Sequence, residues 1–271
     1  MEMELELRVI EYQMDSGVAH ITLSAPEVGN ALNGEMLVQF YQGLVSAIAE
    51  PTCRVIVISS MGADFCTGMD FNAIFANGSR PNLAPLQVFC DCLLLIYSSP
   101  KPVITCVTGN VTGGGVGIVA ASDIVLAEEN VVFMLSEVLV GMIPAVITPF
   151  LLCRLSSSQV KYLTVSSRGI DGNEAKNWGL VDEIASDGMN DTLNRQIQRL
   201  FYSSPEAIAQ SKQYFDTFIG EDLRHQTEFA MQRLQKWLEQ PQITTAIHQF
   251  SEGYSPPWFQ KYKRNNTNYP K

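Results

Sequence analysis

Short runs rich in Val, Ile and Thr alternate with helical stretches along the first two thirds of the chain, and no other feature restricts the fold as much. The runs fall at residues 18–23, 54–59, 102–108, 123–127 and 131–135. Each is short, apolar and β-branched, so each is predicted to be a strand. Between them, residues 32–50 and 83–97 carry apolar side chains at helical spacing, and Ser-Ser-Pro stops the second stretch. Residues 114–121 have the small side chains that let a helix pack tightly. This alternation predicts an α/β domain with helices packed on sheets. Beyond about Pro144 the strand signal fades, and residues 149–154, 158–166, 171–178, 190–202, 205–219, 223–239 and 241–250 read as helices. Asp171 and Glu174 have the spacing of an N-cap with its capping box. The helices from Pro205 onward read as an appendage, so we expect a core over 1–200 and a helical C-terminal lobe over 201–271.

Composition narrows the class. At 46% hydrophobic and 17% charged, the chain is too apolar to be disordered. No apolar run reaches the roughly 20 residues of a membrane span. A net charge of −10 argues against broad nucleic-acid binding, which needs basic surface. The acidic start lacks the basic and apolar regions of a secretory signal, so a cytoplasmic protein is expected. Six cysteines sit mostly inside apolar stretches without zinc-site spacing, which predicts buried thiols and no metal. Against the acidic background, residues 261–271 hold Lys261, Lys263, Arg264 and Lys271 and no acid. Such an end is either solvated chain or an anchor for a phosphate or an acidic partner.

Few residues can carry chemistry. His20, His225 and His248 lie away from any nucleophile motif, so a Ser-His-Asp hydrolase is not supported. The segment Gly109 to Gly117 follows a strand and opens a helix, but it lacks both the Gly-Lys-Ser/Thr of a P-loop and the Rossmann spacing. It offers either tight backbone packing or free N–H groups aimed at an anion. A second glycine turn, Ala63 to Phe71, follows an earlier strand. Two such turns can each aim one N–H at the same oxygen, the construction of an oxyanion hole. Asp70 at the end of that turn reads as a helix N-cap rather than a catalytic acid. Glu137 ends an apolar strand, and no other charge follows until Arg154. Burial there would raise its pKa toward that of a general base, whereas a capping or paired glutamate is the structural alternative.

Several motifs then occur in order: Leu23, Pro26, Asn30, Ala31 and Leu32; Phe65-Cys66-x-Gly68-x-Asp70; the glycines 113–115; Ser122-Asp123-Ile124; Phe133 through Glu137 to Pro144; and Trp178 to Asp182. Over roughly residues 8–190 the chain resembles the crotonase, or enoyl-CoA hydratase/isomerase, superfamily. The resemblance implies a crotonase (ClpP-like) spiral of ββα units with a helical C-terminal region. It also implies homotrimers or hexamers, and thioester substrates on coenzyme A or on the phosphopantetheine arm of an acyl carrier protein, with no separate cofactor. Carried over residue by residue, it makes the amides of Met69 and Gly114 the oxyanion donors and Glu137 the catalytic carboxylate. Typical hydratases of this kind carry a first glutamate just after the glycine triplet, where this chain has Gly117. One carboxylate fits the single-glutamate enoyl-CoA isomerases and the dehydratases of polyketide β-branching cassettes. The stretch Phe133 to Arg154, Gly117 and the end around Pro257-Trp258 look closer to the dehydratases, which act on 3-hydroxy-3-methylglutaryl carrier-protein thioesters. The decarboxylase of the same cassettes and a non-catalytic binding protein are the remaining alternatives. Arg154 and Lys161 are candidates for the distal carboxylate of such a substrate, or else surface and structural residues.

Overall fold

The computed structural model describes residues 9–70, 81–219 and 223–261. Its strands are β1 (Ile10–Asp15), β2 (Val18–Leu23), β3 (Val55–Ser60), β4 (Asp64–Cys66), β5 (Val103–Val107), β6 (Asn110–Thr112), β7 (Ile124–Ala127), β8 (Val132–Met134), β9 (Ile170–Asp171) and β10 (Glu183–Ile184). Its helices are α1 (Gly34–Ala49), α2 (Ala84–Ser98), α3 (Gly114–Ala121), α4 (Thr148–Arg154), α5 (Ser157–Ser166), α6 (Gly172–Trp178), α7 (Met189–Phe201), α8 (Pro205–Ile219), α9 (Leu223–Leu238) and α10 (Pro241–Ser251).

The strands form two sheets, ordered β1-β2-β3-β5-β7-β10 and β4-β6-β8-β9. From β3 to β8 consecutive strands are dealt alternately between them. Of each pair β3–β4, β5–β6 and β7–β8, the first strand joins the large sheet and the second the small one, and a helix follows. That is the predicted spiral of ββα units. Within the large sheet β2, β3, β5 and β7 run parallel, and both faces are covered. Ile56 and Ile58 of β3 enter the main core, whereas Val55 and Val57 pack under Leu193, Ile197 and Leu200 of α7. Alternate residues of one strand thus serve two cores, so the run reads in sequence as continuously apolar.

The long β-branched runs were legible to within a residue or two, but β1, β4, β6, β9 and β10 were not. Two- and three-residue strands carry no period, and β4 and β6 merge into the turns that follow them; six-residue β1 does carry one, Ile10, Tyr12 and Met14 alternating with Glu11, Gln13 and Asp15. The Asp171 side chain accepts from the Glu174 N–H as expected of an N-cap. The capping box does not form there, because Glu174 gives both carboxylate oxygens to Arg168. A complete box caps α5 instead, between Ser156 and Gln159. Leu234 and Leu238 of α9 and Ile247 of α10 belong to the same core as the sheets, whereas α8 keeps most of its surface exposed. The six cysteines are free and five are buried. Among the described residues no helix is long and apolar enough to cross a membrane.

Candidate active site

Strands β4, β6 and β8 are neighbours in the small sheet and run parallel. Their C-terminal ends therefore lie side by side, where open parallel sheets generally bind ligands. Each end opens into one of the segments singled out above: Thr67-Gly68-Met69 after β4, Gly113-Gly114 after β6, and Ser136-Glu137 after β8. The repeat geometry brings together three turns that lie far apart in sequence.

The first turn is held from both sides. The Leu32 N–H donates to Gly68 O at 2.8 Å and the Asp70 N–H donates to Leu32 O at 3.2 Å. In a parallel bridge of this kind the paired groups belong to the residues flanking Met69, so the Met69 N–H points away from Leu32. The Gly68 N–H also donates to Cys66 Sγ at 3.4 Å. Gly68 needs its glycine: φ is +92°, and a Cβ there would lie 3.0 Å from Thr112 O and 3.5 Å from Gly114 N. That close approach brings the second turn against the first. Gly114 is the first residue of α3, where N–H groups have no intrahelical acceptor. The N–H groups of Val116 and Gly117 instead share Gly113 O. Among the described residues, neither the Met69 nor the Gly114 N–H has an acceptor.

Glu137 closes the site. A Cβ on Gly113 would lie 3.2 Å from Glu137 Oε1 and 4.0 Å from Gly68 Cα, so the carboxylate sits directly across from both turns. Burial pushes its pKa up from the usual carboxylate range to about 7, although backbone N–H groups of residues 136 and 137 partly stabilise the anion. Oε2 is fully buried and has no hydrogen-bond partner among the described residues. A buried carboxylate oxygen left unpaired is costly unless a reacting group meets it. Around these groups lies a cavity of about 60 Å³ with Leu86, Phe89, Met142, Val146, Ile147 and Leu234 among its walls. It holds no second acid among the described residues. The place of the missing glutamate is filled: a Cβ at Gly117 would come within 2.4 Å of Ile147 Cγ2.

Arg154 and Lys161 are not brought to this cavity. The Arg154 guanidinium donates to Asp182 Oδ2 at 3.2 Å, to Ser122 O at 2.7 Å and to Asp123 O at 3.0 Å. It ties α4 to the edge of the large sheet, which corrects its reading as a substrate cation. Lys161 is exposed on the surface of α5. Sequence reasoning missed Arg233, the single Arg or Lys among the described residues lining the groove that shares Ile143 to Ala145 with the cavity. It also missed Leu234, whose helix had no visible link to the site. Asp70 borders residues 71–80, so its reading as the cap of a following helix lies outside the described residues, as do Lys263, Arg264 and Lys271.

The family model described as enoyl-CoA hydratase/isomerase matches residues 13–261. The chain is 29% identical to the bacillaene synthase dehydratase PksH of Bacillus subtilis over 93% of its own length and 96% of that protein. It is 31% identical to a probable enoyl-CoA hydratase of Rhodobacter capsulatus over 68% of this chain and 71% of the relative. The solved Bacillus subtilis PksH structure superposes with a TM-score of 0.81 at 27% identity, covering 91% of this chain and 98% of that one. With the ββα spiral, the paired turns and the carboxylate across from them, these likenesses show that the chain belongs to the enoyl-CoA hydratase/isomerase family.

Proposed function

We propose that this enzyme removes water from a 3-hydroxy-3-methylglutaryl thioester on an acyl carrier protein, giving the 3-methylglutaconyl thioester used in polyketide β-branching. The observation that carries the reading is a buried carboxylate, with one oxygen unpaired, facing two turns and, among the described residues, no second acid. Likeness to a dehydratase along almost the whole chain supports it.

In this mechanism the thioester carbonyl oxygen accepts from the N–H groups of Met69 and Gly114, and Glu137 takes a proton from C2. The C–H electron pair forms the enolate, which each backbone donor stabilises by about 3–4 kcal/mol. As the enolate collapses, the C2–C3 double bond forms and the C3–O bond breaks. The proton on Glu137 leaves with the hydroxyl as water and the carboxylate is restored. Acid and base work on one face thus needs one carboxyl group with a pKa near the working pH. Proton transfer of this kind requires no further cofactor.

Mass spectrometry of the loaded carrier arm tests the reading. Loss of one water is expected. Loss of carbon dioxide from the glutaconyl form would make the enzyme the decarboxylase, and uptake of solvent deuterium by a 3-enoyl thioester in heavy water, with no loss of water from the hydroxy substrate, would make it a single-carboxylate isomerase. No turnover of any thioester would leave a binding protein.

Two further parts of the proposal concern partners. An acidic carrier protein needs a local concentration of basic residues, and residues 261–271 carry Lys261, Lys263, Arg264 and Lys271 with no acid. Deleting them should weaken turnover of the carrier-bound substrate more than of the coenzyme A analogue, and equal effects would remove the tail from docking. Tyr214, Phe215 and Phe218 of α8 are each at least 60% exposed, an apolar face suited to self-association into trimers or hexamers. Light scattering of Phe215→Ser/Phe218→Ser should report smaller particles. Six free thiols suit a reducing cytoplasm.

A further inference from the structure

Glu137 does not stand on a strand or a long helix. It begins one turn of 3-10 helix, Glu137–Val140, whose first residue has no side-chain cap and whose end is Gly141 at φ +83°. Inside the turn, the Leu139 N–H donates to Ser136 O, the Gly141 N–H to Val138 O and the Met142 N–H to Glu137 O. An isolated turn this short holds its shape poorly. Its outward carbonyls, however, are taken from far along the chain. Trp237 of α9 donates its indole N–H to Gly141 O at 2.8 Å. Trp258, in the segment after α10, donates its indole N–H to Leu139 O at 3.0 Å. The Trp258 ring lies flush on the turn: a Cβ at Gly141 would come within 2.6 Å of Cη2 and 2.9 Å of Cζ2. Two of the three tryptophans in the chain thus serve five residues, Glu137 to Gly141. An indole N–H can only donate, so each ring fixes the direction of the carbonyl it meets.

We propose that Trp237 and Trp258 are positioning residues that clamp the Glu137 turn from the C-terminal side and hold its carboxylate against the two backbone amides. The inference rests on the reading of Glu137 as the base. It gives the late helices a part in the chemistry without any contact with substrate. Among the described residues no other titratable side chain lines the cavity. The pKa of Glu137 therefore reports on how dry the clamp keeps it. Loosening the turn admits water, stabilises the anion and lowers that pKa.

The experiment compares Trp237→Phe, Trp258→Phe and the double variant with Trp178→Phe, which alters a tryptophan stacked edge-on against Tyr162 instead. The carboxyl resonance of Glu137 is followed by NMR in carbon-13 glutamate-labelled protein and assigned by its loss in Glu137→Gln. In the native enzyme and Trp178→Phe the midpoint should lie near 7. In the double variant it should fall toward the ordinary carboxylate range, and kcat should drop about ten-fold or more with KM changed less than about two-fold. The single Trp258→Phe, at a position 39% exposed, should show a smaller shift and guards against a double variant that fails to fold. An unmoved midpoint in folded variants overturns the clamp, even if their melting temperature falls. Turnover by Glu137→Gln overturns the base reading instead, whatever the tryptophan variants do.

Discussion

The two sides of the cavity are held by different means. The amide side is built from what lies next to it: a sheet bridge, a cysteine sulfur, and glycines that bring β4 and β6 turns into contact. The carboxylate side is a lone turn whose fastenings come from residues 237 and 258. Local construction tolerates loss of distant parts, whereas remote fastening makes Glu137 depend on the packing of the whole C-terminal region.

Removing the carboxylate should have the largest effect. Glu137→Gln should cost at least about a thousand-fold in kcat while leaving thioester binding in place. The same change should stabilise the fold at pH 8. A carboxyl raised to about 7 binds its proton more tightly when folded, so its ionisation destabilises the native state. That cost is absent below the unfolded pKa, grows as pH rises from there to about 7, and levels off above it at about 3 kcal/mol. Thermal melts of native and variant protein should therefore converge near pH 4, separate between about 4.5 and 7, and keep a constant difference above 7.

Breaking the amide side should come next. Gly68→Ala forces a side chain onto a left-handed backbone and against Thr112 O, so the first donor turns away. A fall in kcat of about a hundred-fold, with Glu137 titrating as before, would show the two sides to be independent. A moved Glu137 midpoint would show that they are not. The tryptophan variants should fall between these and the smallest effect. Gly117→Ala touches neither side, and its methyl must displace Ile147. It should cost about 1–3 kcal/mol in denaturant unfolding and change the position of the pH profile little.

The contrast also explains what could be read in advance. Glycine turns announce themselves because only glycine serves there, and Glu137 stood out as one charge in an apolar run. The strands that deliver them, β4, β6 and β8, are three residues each, and the first two dissolved into their turns. For Arg154 the sequence left a substrate cation and a structural residue both open, because a cation's sequence neighbours say nothing of its partner. Asp182 lies 28 positions on, across the edge of the sheet. The tryptophan fastenings span 96 and 119 positions and leave no local periodicity to detect. Leu234 was legible as an apolar position on a helix, but not as a wall of the cavity.

Ile147 against Gly117 sets the order in which a second acid could be regained. A glutamate placed at 117 first has nowhere to go, since even its first carbon collides. Shrinking Ile147 first leaves a void, at a cost of about 1 kcal/mol or somewhat more for each methylene lost. The second route makes room before the larger side chain arrives, so a neighbour that takes no part in the proposed chemistry decides which substitution is tolerated first. Anyone redesigning this site toward water addition must begin at residue 147, thirty positions along the chain from the glycine it packs against.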